Sequence, residues 1–110
     1  MDFAVSGDEF IGMSGIQLGY SPKTRHSAGI WGVYVQPEWR SLHIAEALID
    51  ACIAWARPFG VELVKLAVVA TNTAAIRSYA LSGFTIYGVE PQAIRLEGVN
   101  YDELLMVRHL

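Results

Sequence analysis

Residues 35–45 read VQPEWRSLHIA, and no other stretch of the sequence says more about the fold. It joins the end of a predicted strand, residues 29–35, to a bend at Pro37 and then directly to a predicted helix, residues 42–59. The first backbone N–H groups of a helix have no acceptors within the helix and carry the positive end of its dipole. A helix that begins just after a strand can therefore hold a phosphate mainly through backbone amides, and Arg40 would add charge-assisted hydrogen bonds.

Hydrophobic periodicity and turn residues predict elements in the order β-β-β-α-β-α-β-β. Beyond the strand and helix above, these are a hairpin (3–5 and 10–20), a strand (61–70), a helix (73–82) and two strands (84–89 and 101–108) joined by a loop that contains Pro91 and Gly98. The nearly continuous apolar run at 61–70 predicts an interior strand covered on both faces. Strand–helix–strand succession predicts a parallel pair, and the flanking hairpins predict antiparallel edges. The fold class is therefore a mixed-sheet α/β (α+β) domain.

Size and composition limit the classes of protein to which the chain can belong. Its 110 residues suffice for a single domain, residues 1–110, and are too few for two. Hydrophobic residues make up 53% and charged residues 17%, which argues against a disordered chain. A formal charge of -3 provides no basic surface for nucleic acid, and the apolar runs are too short to span a membrane. With Cys52 as its one cysteine, the chain has no disulfide framework and no multi-cysteine metal site, so we expect a metal-free cytoplasmic protein.

Two motifs in the sequence resemble those of one enzyme family. Residues 72–84 (NTAAIRSYALSGF) resemble a signature of the GNAT superfamily of acetyltransferases, Asn-x-x-Ala-x-x-x-Tyr-x-x-x-Gly-Phe, and all five signature positions match. Residues 40–45 resemble the pyrophosphate-binding motif of the same family, Gln/Arg-x-x-Gly-x-Gly/Ala. Arg40 and Ala45 fit that motif, whereas His43 stands where the first glycine is usual. The imidazole of His43 must therefore point away from a bound phosphate or contact it.

The resemblance implies an acyl-CoA N-acyltransferase fold, acetyl-CoA as co-substrate, and a small-molecule or peptide amine as acceptor. In such a site the strand backbone would pair with the pantetheine arm, the phosphate turn would hold the pyrophosphate, and the asparagine would hydrogen-bond the ligand near its thioester. The tyrosine would act as general acid toward the departing thiolate. The corresponding residues here are Val33, Tyr34 and Val35 for the pantetheine; Arg40, Ser41, Leu42, His43, Ile44 and Ala45 for the pyrophosphate; Asn72 for the thioester end; and Tyr79 for the thiolate.

Some of these side chains also have simpler structural interpretations. Asn72 is a plausible N-cap of the second helix, a role that is compatible with ligand contact. Cys52 lies on the apolar face of the first helix, which favours a small buried hydrophobic residue over a nucleophile. Of the three tryptophans, Trp39 is the best candidate to border a ligand.

The sequence does not identify the group that accepts the proton of the amine. Many members of the resembled family carry a carboxylate on the strand before the phosphate turn, but residues 27–35 contain no Asp or Glu. His26, Glu38 or Glu103 could accept the proton through water. Two functions follow as hypotheses. The intact signature at 72–84 favours an acetyltransferase. His43 and the missing carboxylate favour a non-catalytic acyl-CoA-binding or protein-interaction module.

The beginning of the chain also differs from the resembled family, whose members usually start with a further strand and two helices that form much of the acceptor pocket. Here Met1 leads almost at once into the predicted strand at 3–5. The resemblance therefore indicates a fold lacking that first strand and two helices: a shortened member, a fragment, or a subunit that borrows the missing cover. Uncovered sheet edges and apolar faces are unfavourable in a monomer, so we predict a homodimer that covers them.

Overall fold

The computed structural model describes residues 2–6, 10–40 and 43–110. Its strands and helices follow the predicted order. They are β1 (Asp2–Ser6), β2 (Phe10–Leu18), β3 (Ser27–Val35), a 3-10 turn (Pro37–Trp39), α1 (Ile44–Ala56), a second 3-10 turn (Arg57–Phe59), β4 (Leu63–Val69), α2 (Thr73–Leu81), β5 (Thr85–Leu96) and β6 (Val99–His109). The mixed-sheet α/β prediction is confirmed.

The six strands of the described residues form one sheet in the order β1-β2-β3-β4-β6-β5. The central strands β3 and β4 are parallel, and every other neighbouring pair is antiparallel. Helix α1 connects the two parallel strands, as the strand–helix–strand pattern predicts. The sequence correctly indicates a parallel centre flanked by antiparallel strands.

The two parallel strands pair only at their beginnings. Residues Ser27–Gly29 pair with Leu63–Lys65, although β3 continues to Val35 and β4 to Val69. Strand β3 bends where the pairing stops, because Gly32 and Val33 together oppose the single residue Ser14 of β2 and Gly32 has a positive φ of 64°. An extra residue of this kind bends and twists a strand. A gap therefore opens between the second halves of β3 and β4, and no strand of the described residues fills it.

Both helices pack against one face of the sheet in a single hydrophobic core. From α1 this core takes Ile49, Cys52, Ile53 and Ala56, and from the strands it takes Ile16, Ile30, Val64, Leu66, Val68 and Met106. The Cys52 sulfur is completely buried, 3.4 Å from the Ser14 hydroxyl, and burial raises the pKa of this thiol. The interpretation of Cys52 as a buried apolar residue is confirmed. Among the helices of the described residues, none is long and apolar enough to cross a membrane.

The prediction that β4 is covered on both faces is wrong. Burial alternates along the strand: Val64, Leu66 and Val68 are buried, whereas Lys65 and Ala67 are exposed. Because α1 and α2 share one core, they cover the same face, and the described residues leave the other face open. We call this uncovered side, which carries Lys65 and Ala67, the open face.

The predicted loop between the last two strands is also wrong. Strand β5 continues to Leu96, and the turn consists of only Glu97 and Gly98, with φ values of 49° and 78°. Two residues with positive φ form the turn that joins antiparallel strands most readily. Pro91 lies instead at an irregularity of this edge strand, where the N–H of the next residue, Gln92, donates to Asp102 Oδ1 at 2.9 Å. A proline, which has no N–H, is tolerated at such a position.

Candidate functional site

A cavity of about 520 Å³ lies where β3 ends, between the beginning of α1 and the side of α2. It is lined by nine of the eleven residues that the resemblance assigns to the site: Val33, Tyr34, Val35, Arg40, His43, Ile44, Ala45, Asn72 and Tyr79. The other two, Ser41 and Leu42, lie outside the described residues. Trp39 also borders this cavity, as predicted. The fold thus brings together two motifs that lie about 30 residues apart in the sequence.

The first turn of α1 faces this cavity. Ile44, Ala45 and Glu46 line the cavity, and the side chain of the N-cap residue, His43, makes no capping hydrogen bond. The backbone N–H groups of these three residues have no acceptor within the helix and carry the positive end of its dipole. The local structure follows from the sequence, because Pro37 ends β3 and the chain re-enters a helix within a few residues. Free amides at a helix start form an anion-binding site.

His43, which stands where the motif has glycine, adopts a left-handed backbone conformation that glycine tolerates best. Its φ of 58° and ψ of 27° lie in the left-handed region, which costs a residue with a Cβ about 1–2 kcal/mol. The imidazole is 78% exposed, and its Nδ1 lies 3.4 Å from Glu46 Oε1. The ring is therefore directed largely into solvent and toward Glu46.

Two guanidinium groups border the same cavity. The Nε of Arg40 donates to the Val35 carbonyl at 3.0 Å, and none of the described residues accepts a hydrogen bond from its other N–H groups. Arg77 of α2 lines the cavity too, and sequence reasoning missed it. The helical spacing of the lining residues Ala74, Arg77, Ser78 and Leu81 would have revealed it, since residues three, four and seven apart share one helix face.

Asn72 occupies the beginning of α2 at the far wall of the cavity. Its Oδ1 accepts a hydrogen bond from the Ala75 backbone N–H at 3.2 Å, which confirms the N-cap prediction. Because the cap uses only the oxygen, the NH₂ of the same amide remains as a donor beside the cavity. Two other lining residues, Trp39 and Ser78, carry buried polar atoms (Nε1 and Oγ) without a hydrogen-bond partner among the described residues. The cavity lining thus offers polar groups that no described residue uses.

Tyr79 is held in place by the way α2 ends. The N–H of Gly83 donates to the Ala80 carbonyl at 3.0 Å, and the N–H of Phe84 donates to the Tyr79 carbonyl at 3.0 Å. With the φ of 91° at Gly83, these bonds form a Schellman motif, which favours glycine and turns the next residue back onto the helix. The Phe84 ring consequently meets the Tyr79 ring edge-on, with centroids 6.5 Å apart. The Tyr-x-x-x-Gly-Phe part of the signature is therefore a helix ending that fixes the tyrosine.

The phenol of Tyr79 is suited to donating a hydrogen bond. The residue is only 7% exposed, and no hydrogen bond to its hydroxyl is found among the described residues. Burial raises the pKa of Tyr79 above its ordinary value, because the phenolate would be poorly solvated. The hydroxyl therefore keeps its proton throughout the neutral range.

None of the three candidate proton acceptors lines the cavity. His26 precedes β3 and is separated from Val33 by about 23 Å of strand, at roughly 3.3 Å per residue. Glu38 is exposed in the turn between β3 and α1. Glu103 of β6 pairs directly with Val69 at the end of β4, beside the gap. Directly paired residues share a face, so Glu103 lies on the open face.

Comparison with known proteins agrees with this geometry. Residues 2–84 match the profile of the Acetyltransferase (GNAT) family. The chain therefore belongs to the GNAT family of acetyltransferases. A mycothiol acetyltransferase from Sanguibacter keddieii is 38% identical over 66 residues, which make up 60% of this chain but only 21% of that protein.

Solved structures share the fold at low sequence identity. The GNAT-family acetyltransferase of Streptococcus pneumoniae superimposes with a TM-score of 0.84 at 23% identity, over 93% of this chain and 61% of that one. Ribosomal-protein-alanine N-acetyltransferase from Brucella melitensis gives a TM-score of 0.86 at 24% identity, over 99% of this chain and 68% of that one. The yncA protein of Salmonella typhimurium, described with its cofactor acetyl-CoA, gives a TM-score of 0.82 at 24% identity, over 94% of this chain and 60% of that one. This chain is thus shorter than each of these proteins.

Proposed function

We propose that this domain is an N-acetyltransferase that moves the acetyl group of acetyl-CoA to a primary amine by direct attack. The observation that carries the proposal is the cavity, because a helix start with free amides, two guanidinium groups, an open strand edge and a buried phenol all border it. Each of these groups suits a different part of acetyl-CoA.

The phosphate end of the ligand suits the beginning of α1. The free amides of Ile44 and Ala45 and the guanidinium of Arg40 would hold the diphosphate, and Arg77 provides a second positive charge on the facing helix. His43 is compatible with this role, because its left-handed backbone replaces that of glycine and its ring is exposed.

The pantetheine arm suits the open edge of β3. The second half of this strand bonds to β2 on one side and faces the gap on the other. The amides of an extended arm can add to such an edge as a further strand would. Val33, Tyr34 and Val35 supply backbone groups there, while the Asn72 NH₂ and the Ser78 hydroxyl supply donors on the opposite wall.

The buried phenol suits the thioester end. A lysine-like amine at neutral pH must first lose a proton, at a cost of about 4.6 kcal/mol. Expulsion of the thiolate then benefits from a donor, and Tyr79 has its proton available there. The raised pKa of Tyr79 makes complete proton transfer to a thiolate unfavourable, so a hydrogen bond is its main contribution. Because Cys52 is buried in the core, direct attack by the amine is favoured over an acetyl-cysteine intermediate.

A non-catalytic acyl-CoA-binding module is the second candidate function. It is favoured by one observation: none of the three candidate proton acceptors, His26, Glu38 and Glu103, lines the cavity. A thermal-shift titration with CoA and acetyl-CoA, followed by a thiol-release assay, separates the two functions. The acceptor panel should include two compounds: phosphinothricin, and a peptide whose first residue is alanine. Both follow the substrates named for two structural neighbours. Binding with amine-dependent thiol release supports the enzyme, binding without release supports the module, and no binding contradicts both.

Glu103 is the proton acceptor that the strand register favours. The core side of the gap holds the cavity in which CoA would bind, between the two helices, so the acceptor amine would approach from the open face, where Glu103 lies beside Val69. Replacing Glu103 with glutamine should lower kcat/KM about tenfold, because a water-bridged base assists the attack without contacting it. Glu103→Asp, which keeps a carboxylate, should retain a higher kcat/KM than Glu103→Gln. Glu90, directly opposite Glu103 on β5, is the matched control, and an equal effect of Glu90→Gln would contradict the assignment.

We further propose that the domain acts as a cytoplasmic homodimer. The edge strand β5 exposes Ile86, Tyr87 and Val89, and the open face exposes Trp31. A second copy that covers these apolar groups would stabilise the assembly. Light scattering at tens of micromolar measures the oligomeric state directly, and a monodisperse monomer would argue against the dimer.

A further inference from the structure

The guanidinium of Arg40 is held by two contacts from the end of β3. Its Nε donates to the Val35 carbonyl at 3.0 Å, and its Cζ lies 5.8 Å from the centroid of the Tyr34 ring. The second distance is within the range of cation–π attraction. Both contacts come from strand residues that precede the Pro37 bend, whereas Arg40 follows it. The bend thus folds the arginine back onto the strand that borders the cavity.

The Tyr34 ring is itself fixed in place. Its backbone is paired with Met13 of β2, and its hydroxyl donates to Gln36 Oε1 at 3.3 Å. The ring is 43% exposed, so it lies at the mouth of the cavity. An arginine in such an exposed place, without these contacts, would sample many side-chain conformations and would lose that freedom when it bound an anion. A ring already beneath the guanidinium reduces this loss.

We propose that Tyr34 is a positioning residue whose ring orients Arg40 toward the diphosphate of the ligand. This role is separate from the backbone pairing assigned to Tyr34 above, because it depends on the aromatic side chain. It rests on the proposed function, since the diphosphate is that of CoA. The Val35 carbonyl fixes the Nε side of the guanidinium and the ring fixes its plane, which leaves the remaining N–H groups for phosphate oxygens.

A double-mutant cycle with Arg40 tests this role. Isothermal titration with CoA would be carried out on the wild type, Tyr34→Leu, Arg40→Met and the double variant. Tyr34→Leu should weaken CoA binding by roughly 2- to 5-fold, which corresponds to the loss of an exposed cation–π contact. It should cause no further loss in the Arg40→Met background, because the ring acts only through the guanidinium. Tyr34→Phe keeps the ring and should retain most of the affinity.

Steady-state kinetics distinguishes positioning from a general structural role. Tyr34→Leu should raise the KM for acetyl-CoA and leave kcat at saturating acetyl-CoA close to that of the wild type, because the diphosphate is bound equally before and during the reaction. Tyr20→Leu, which removes an exposed tyrosine just after β2 and outside the cavity, is the matched control and should change neither value.

Three results would overturn the inference. The first is a fold-loss of CoA affinity in the double variant equal to the product of the two single fold-losses. The second is a Tyr34→Phe variant that binds CoA as weakly as Tyr34→Leu. The third is a Tyr34→Leu variant with a lowered kcat and an unchanged KM for acetyl-CoA. A wild type that does not bind CoA would overturn the proposed function, and this inference with it. That outcome is recognised from the first titration, before any variant is compared.

Discussion

Replacing Tyr79 with phenylalanine is expected to lower kcat about 100-fold, with little change in the affinity for CoA. The change removes one oxygen, which carries the proton proposed to stabilise the departing thiolate. The ring remains, so its edge-on contact with Phe84 and the ending of α2 should persist. Thermal unfolding and CoA titration establish that the variant is folded and binds, and thiol release at saturating acetyl-CoA gives kcat.

The pH dependence of the wild type provides an independent test of Tyr79. Because burial raises the pKa of this phenol, its neutral form predominates at and above neutral pH. Ionisation of Tyr79 should therefore cause no fall in kcat until the pH exceeds the ordinary tyrosine value of about 10. Tyr101→Phe, on β6 outside the cavity lining, is a control for loss of a phenol. A Tyr79→Phe variant with wild-type kcat would show that the hydroxyl does not assist the thiolate.

The parts of the site that could be predicted from sequence are those made by neighbouring residues. The anion site depends on a strand, a proline bend and a helix start, which are contiguous in residues 35–45. The position of Tyr79 depends on the helix ending at Gly83 and Phe84, whose hydrogen bonds span only five residues. Local backbone chemistry determines both features, so a short motif is enough to indicate them.

The features that sequence reasoning missed depend on contacts between distant residues. Nothing in the composition of 61–70 shows that both helices pack on the same side of β4. Pro91 is compatible with a strand because Asp102, from the neighbouring strand, accepts the Gln92 N–H. Likewise, Glu103 gains its place beside the gap only through the register between β4 and β6. Strand register and the face on which each helix packs are properties of the whole sheet, and they are difficult to predict from a single sequence.

His43 illustrates how a departure from a motif is resolved by structure. The glycine of the motif suggests two requirements, a left-handed backbone and space for a phosphate next to the amides. The sequence indicates only that a bulky residue stands there. In the structure the backbone of His43 is left-handed, with a φ of 58°. Its ring is exposed beside Glu46, which leaves space for a phosphate next to the amides. The departure is thus weaker evidence for a non-catalytic module than the sequence suggests.

Replacing Arg40 with methionine is expected to raise the Kd for CoA roughly 10- to 150-fold, the loss that corresponds to charge-assisted hydrogen bonds to phosphate. Methionine keeps an unbranched side chain of similar length, so the fold should be retained. Lysine should restore the affinity only in part, because it keeps the charge but loses the planar group that bonds Val35 and lies over Tyr34.

Salt and kinetics identify the origin of the Arg40 effect. If the guanidinium binds phosphate, raising the NaCl concentration should weaken CoA binding more in the wild type than in Arg40→Met, because screening acts on a charge that the variant lacks. The kcat at saturating acetyl-CoA should remain close to that of the wild type, since phosphate contacts are equal in the ground and transition states. Arg95, which lies at the far hairpin and bonds Asn100, is the matched control. Wild-type affinity in Arg40→Met would show that the diphosphate is bound without this guanidinium, and an equal loss in Arg95→Met would show that the effect is not specific to Arg40.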